Sequence, residues 1–211
     1  MSVSPSSPST FPDELFRLIR SRFQRGDIFF AEDLSLDGHS PEAVRWALSE
    51  LAADSHSIIR IARGVFCYPR LDGGARVMVP DDGTVAEALA RRWRVRIAPC
   101  GEHAAWLSGL TPFTMSPLKF VSDGSEQHFN LQNGRRIEFV RRKSVKIFSF
   151  SSEKLRNLVE GLRYLGPDGV GSSERGVVRR TLAEIPREAF INDVPLAPGW
   201  IRDILIGEWA G

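Results

Sequence analysis

Cysteine is scarce in this 211-residue chain: Cys67 and Cys100 are the only two. A pair so far apart cannot form the dense disulfide framework of a small secreted domain, and the two read as reduced thiols of a cytoplasmic protein. Charge of one sign is also lacking, because 28 Lys and Arg face 26 Asp and Glu for a net of +2. So mild a basic bias permits contact with nucleic acid without requiring it. No apolar run approaches membrane-spanning length. Met1–Thr10 is rich in Ser and Pro and has no apolar stretch, so it reads as a disordered tail and not an export signal. His39, His56, His103 and His128 stand at no zinc-ligand spacing with either cysteine, and neither a metal nor a cofactor is expected. The glycines of Gly166–Ser173 fit neither the dinucleotide fingerprint nor the phosphate-cradling loop, which needs a Lys. That segment reads as a linker.

What is present, at an apolar fraction of 42 %, suffices for a real core. Its most informative part is Ser40–Pro69. Ser40 is a good helix N-cap and Pro41 fits the first helical position. Val44, Ala47, Leu48 and Leu51 then recur at helical spacing and form one apolar stripe. The other face carries Glu42, Arg45, Trp46, Ser49 and Glu50, with Trp46 almost opposite the stripe. Ile58–Pro69 is β-rich and broken only by Arg63-Gly64, where Gly can supply the positive φ of a tight turn. Upstream, Asp13–Phe23 reads as a helix and Phe29–Leu36 as a short second one. Three helices followed by a two-stranded wing make a winged helix. In that module the third helix enters the major groove and the wing touches backbone or minor groove.

On this reading Ser40, Arg45, Trp46, Ser49, Arg60 and Arg63 are the DNA-binding candidates, with Arg45 and Trp46 toward bases and Arg60 and Arg63 toward phosphate or minor groove. Acids nearly balance the arginines of the first 70 residues, so the position of charge matters more than its sum. The same near-neutrality supports a competing reading, a protein-interaction adaptor that docks a partner through Trp46. Residues 71–83 hold two turn-rich clusters around a short strand at Ala75–Val79 and read as a linker.

The remainder, 84–211, mixes both periodicities and argues for an α+β domain. Thr84 is expected to cap a helix through Arg92, followed by a strand at Arg96–Ala98, a helix at Glu102–Leu110 and a strand opening at Phe120. Phe129–Leu131 and Arg135–Val140 flank Asn133-Gly134, the strongest hairpin signal in the chain. Ser152 starts a helix with Leu155, Leu158, Val159 and Leu162 on one face, and Val177–Ile185 and Trp200–Ile206 read as further helices. Arg135, Arg136, Arg141, Arg142, Lys143 and Lys146 stand against the single acid Glu138. The first five are candidate phosphate contacts, or else a charged hairpin edge that resists aggregation. Enzyme-like pairs are weak. Glu102 and His103 are adjacent helical residues that point apart, and Asp123 with Glu138 lacks the Lys a metal-dependent nuclease commonly places two residues beyond its second acid, where Val140 stands. No enzyme is expected.

Three blocks carry a family resemblance: Val44, Leu48 and Leu51 leading to Arg60–Pro69; Val85–Ala90 with Ile97–Ala105 and Gly109–Thr111; and Val121–Gly124 with Gly134–Phe139. Taken in order they span about residues 12–205, and the chain resembles the AbiEi-type antitoxins of bacterial type IV toxin–antitoxin systems. With the disordered tail taken as 1–11, the resemblance implies a winged-helix DNA-binding domain at 12–70 and an antitoxin-type α+β domain at 84–211. It also implies binding to inverted repeats in the protein's own promoter, by a homodimer where the site is palindromic, and repression from there. The partner implied for the second domain is a nucleotidyltransferase-like toxin whose action it counteracts.

Overall fold

The computed structural model describes residues 10–73, 76–114, 117–142, 144 and 146–209. The expected tail up to residue 9, the start of the expected strand at Ala75 and the candidate contact Lys143 lie outside the described residues. Helices and strands mix throughout, an α+β chain, and contacts divide it into two compact units. The first takes residues 1–88 and Leu131–Gly134, and the second takes 89–130 and 135–211.

In the first unit, α1 (Phe11–Arg22) opens where Asp13 accepts hydrogen bonds from the amide and hydroxyl of Thr10. Strand β1 (Ile28–Phe30) and one 3-10 turn at Ala31–Asp33 follow. Helix α2 (Pro41–Leu51) begins as its sequence dictates, with the Ser40 hydroxyl accepting from the Ala43 amide at 3.2 Å. Strands β2 (Ile59–Ala62) and β3 (Val65–Cys67) form the expected hairpin, and Gly64 takes φ +74° in its turn. The three strands make one antiparallel sheet in the order β1-β3-β2. Leu15 and Ile19 of α1, Val44, Ala47 and Leu48 of α2, and Phe29 and Phe66 of the sheet close a single core. A small ladder, β4 (Arg70–Leu71) with β5 (Val77–Met78), lies in the region expected as a linker.

One expected helix of this unit is absent. Phe29–Leu36 was the second helix by sequence, yet Phe29 pairs with Phe66 and Phe30 with Val65, and only three residues turn before the chain runs on. The reason is aromatic packing, since the Phe29 ring stacks between Phe23 at 4.8 Å and Phe66 at 5.9 Å. Asp33 limits the turn by accepting from the Phe30 amide at 2.9 Å.

Helix α3 (Asp82–Trp93) is capped by Asp81 and not by Thr84, whose amide and hydroxyl both donate to the Asp81 carboxylate. The second unit then holds a four-stranded sheet of β6 (Ile97–Pro99), β7 (Leu118–Ser122), β8 (Gln127–Asn130) and β9 (Arg136–Arg141), in the order β6-β7-β9-β8 with β7 and β9 parallel. Asn130 pairs with Arg136, so the loop carrying Asn133-Gly134 runs from Leu131 to Arg135 and is longer than a two-residue turn. The unit also holds α4 (Glu102–Leu107) and α5 (Glu153–Leu165), which pack on the sheet, and α6 (Ser172–Ala183), α7 (Arg187–Asp193) and α8 (Gly199–Trp209). Leu155, Leu158 and Leu162 of α5 bury against Val178 and Leu182 of α6 and Ile201 and Leu205 of α8. Helix α6 starts five residues before the expected Val177, because Glu174 accepts from the Gly171 amide at 2.9 Å. Helix α7 was not foreseen.

Both cysteines are buried and free, one in β3 and one just beyond β6. Burial pushes each thiol up to about 11, helped at Cys67 by the negative charge of Asp27. The unfolded value is about 8.5, so the neutral thiols contribute their full stability below that pH. That contribution is lost as the pH rises through about 11. At pH 8 roughly one native thiol in a thousand is ionised. A chromogenic thiol reagent at pH 8 is therefore expected to label the native protein slowly and both cysteines quickly in urea. Rapid native labelling would contradict the burial.

Candidate nucleic-acid interface

The capped N-terminus of α2 fixes its rotation, so that Val44, Ala47 and Leu48 enter the core while Arg45, Trp46 and Ser49 face outward. Trp46 is 57 % exposed, more than any other tryptophan of the chain. Ser40, its capping work done, is itself exposed. The outward face is tied to the hairpin. Arg60 Nη2 of β2 donates to Ser49 Oγ at 2.6 Å, and that hydroxyl donates to the Arg45 carbonyl at 2.9 Å. The Arg60 guanidinium also lies over the Phe66 ring at 5.5 Å, which holds the planar group in place. Arg63 is exposed at the hairpin turn.

Arg45 is already engaged, since its Nη1 sits 3.0 Å from Glu42 Oε1. Glu42's own backbone amide, then the Arg45 guanidinium and the Ser40 hydroxyl, hold its carboxyl below the usual carboxylate range. The Glu42 carboxylate therefore stays ionised at neutral pH, and Arg45 must exchange partners before it can reach a base.

The cations of the basic run have separate fates within the second unit. Arg142 Nη1 turns onto the buried Glu160 at 2.6 Å, where Arg163 also arrives at 3.3 Å. Arg136 Nε meets Glu138 at 3.2 Å, and Lys119 approaches the same carboxylate at 3.9 Å. Arg135 and Arg141 are exposed. The acids of the nuclease alternative are likewise held by cations. Asp123 accepts from the amide and Nε of Arg96, both at 2.8 Å, and the Arg96 side-chain bond holds its carboxyl below the ordinary value. His103 is buried edge-on to Phe120 at 4.8 Å, so its place is in the core of the second unit. Among the described residues no three His, Cys, Asp or Glu side chains gather as a metal-binding group, and no helix is long and apolar enough to cross a membrane.

A model described as a family of unknown function matches residues 16–189. The chain belongs to that family, DUF6088. The matched span includes α2, the β2–β3 hairpin and Leu131–Gly134, and so holds every residue of the surface just described. No curated protein and no solved structure matches the chain.

Proposed function

We propose that the first unit of this DUF6088 protein is a winged helix that binds double-stranded DNA, and that the protein represses its own promoter as the antitoxin of a toxin–antitoxin pair. The bond chain from Arg60 through Ser49 to the Arg45 carbonyl carries the DNA reading, because it couples the hairpin to the backbone of α2 and holds the Arg60 guanidinium beside the helix face that bears Arg45. The order helix, strand, turn, helix, hairpin supports it, with the 3-10 turn at Ala31–Asp33 in the place of the second helix. In the bound state α2 lies in the major groove, Arg45 leaves Glu42 for a guanine edge, and Glu42 accepts from a cytosine amine. Arg63 reaches the backbone or minor groove. The antitoxin role rests on the sequence resemblance alone. Its test is co-expression with a neighbouring nucleotidyltransferase-like protein, where restored growth is expected.

The DNA reading is tested by mobility shift with the full-length protein and its own upstream region. Arg63→Ala is expected to weaken binding about tenfold and to flatten the logarithmic salt slope by about 0.9, the loss of one phosphate contact. Unchanged affinity would overturn the assignment. The exposure of Trp46 favours one second reading, a protein partner on the same face. A partner that binds equally well in the presence of excess promoter DNA, and is lost in Trp46→Ala, would decide for it.

A further inference from the structure

An open groove of about 340 Å3 runs beside the C-terminal end of α2 and the start of β2, with Ser49, Ala52, Ser55, Arg60 and Gln132 among its walls. Its volume is at the small end of ligand-sized clefts, roughly 300–1,000 Å3. Among the described residues Arg60 is its one charged wall residue, and no carboxylate lines it. A lone cation among neutral hydrogen-bonding groups selects for an anion.

The walls are held in advance. Arg60 is fixed between the Phe66 ring and Ser49 Oγ, and its Nε is buried without a hydrogen-bond partner among the described residues. That Nε is closed to solvent as well, so a ligand in the groove is met by the other N–H groups of the guanidinium, whose plane the ring and the hydroxyl fix. Gln132 belongs to the same compact unit although it lies far along the sequence. Its amide donates to the Ile61 carbonyl on β2 at 2.9 Å, the neighbouring Leu131 is buried, and the Gly134 amide closes the turn on the Leu131 carbonyl at 3.1 Å. The Gln132 side chain is thus carried to the groove by backbone bonds that do not depend on a ligand.

We infer that this groove seats one phosphate group of a sugar–phosphate, with Arg60 supplying the charge and Gln132 and Ser55 supplying neutral hydrogen bonds. Gln132 is the new contact residue. The source of the phosphate, though not the chemistry of the seat, rests on the DNA reading above: a duplex backbone and a free nucleotide offer the same group. Tetrahedral, multiply charged oxygens suit a guanidinium held in one orientation beside an amide and a hydroxyl.

The test uses the full-length protein in two arms. In the first, a deoxynucleoside 5′-monophosphate and inorganic phosphate are titrated while the side-chain N–H signals of Arg60 and Gln132 are followed by NMR. In the second, affinity for the upstream duplex is measured against salt. With DNA as the source, Arg60→Gln reduces the salt slope by about 0.9. Gln132→Ala weakens binding about fivefold with the slope unchanged, as loss of a neutral hydrogen bond requires. A thermal midpoint equal to wild type shows that Gln132→Ala is folded. If both variants bind the duplex like wild type while Arg63→Ala does not, the seat is overturned and the DNA reading stands. If no duplex binds but the mononucleotide or phosphate shifts both side-chain signals, the DNA reading falls and the seat stands with a free ligand. Silence in both arms overturns both.

Discussion

Replacing Arg142 with Met is expected to destabilise the second unit by about 3 kcal/mol, the low end for breaking a buried ion pair. The magnitude follows from the position of Glu160, which is 3 % exposed on α5 with Arg142 at 2.6 Å and Arg163 at 3.3 Å. A carboxylate withdrawn from water survives because two guanidinium groups replace its hydration. Arg163 remains in the variant and keeps the loss from being larger. In a chain of this size the unfolding midpoint should fall by roughly 6–12 °C. The double variant Arg142→Met, Glu160→Met should recover most of the loss, because it removes the charge that needed pairing and leaves Arg163 able to reach water. Denaturant titrations of both variants check this. A single variant as stable as wild type would mean that the pair contributes nothing.

The second large effect is expected at Gly161. A Cβ there would stand 2.8 Å from the Ala105 Cα and 2.8 Å from Leu110 Cδ1, closer than packed carbons approach. The obstacle is the backbone of α4, which cannot swing aside as a long side chain can. Gly161→Ala should therefore cost about 2 kcal/mol through overpacking, even though Ala favours a helix interior by about 1 kcal/mol over Gly. Gly207 of α8 is the control, because nothing lies within 4 Å of the Cβ it would gain. Gly207→Ala should be neutral or stabilising by up to about 1 kcal/mol. If the two substitutions behave alike, helix propensity and not contact between α4 and α5 governs the site.

These cases mark what the sequence could and could not convey. Helices α2 and α5 were legible because their signals are local: a Ser cap whose hydroxyl accepts from the third residue of the helix, then an apolar stripe. Phe29–Leu36 failed for the opposite reason. Its apolar spacing fits a helix, and only Phe66, far along the chain, makes it a strand. Pro186 stands at the N-cap of α7, where its missing amide proton costs nothing, and no capping side chain marks the helix start in the sequence. Of the candidate interface, the outward set on α2 and the hairpin arginines were readable from periodicity and turn chemistry. The bond from Arg60 to Ser49 was not, since it depends on how β2 returns beside the helix. Arg142 looked like one cation among several because nothing local reveals that Glu160 is buried. Gln132 gave no signal, as its place is set by a backbone bond to Ile61.

That last bond has a consequence for biosynthesis. Strand β2 is an outer strand of its sheet, and the amide of Gln132 meets it at the Ile61 carbonyl. On the ribosome Ile61 emerges about seventy residues ahead of the segment that guards it, so at roughly 5–20 residues per second the β-margin stays open for about 4–15 s. During that interval the nascent polypeptide presents an unguarded template for strand addition, and chaperone occupancy should peak there.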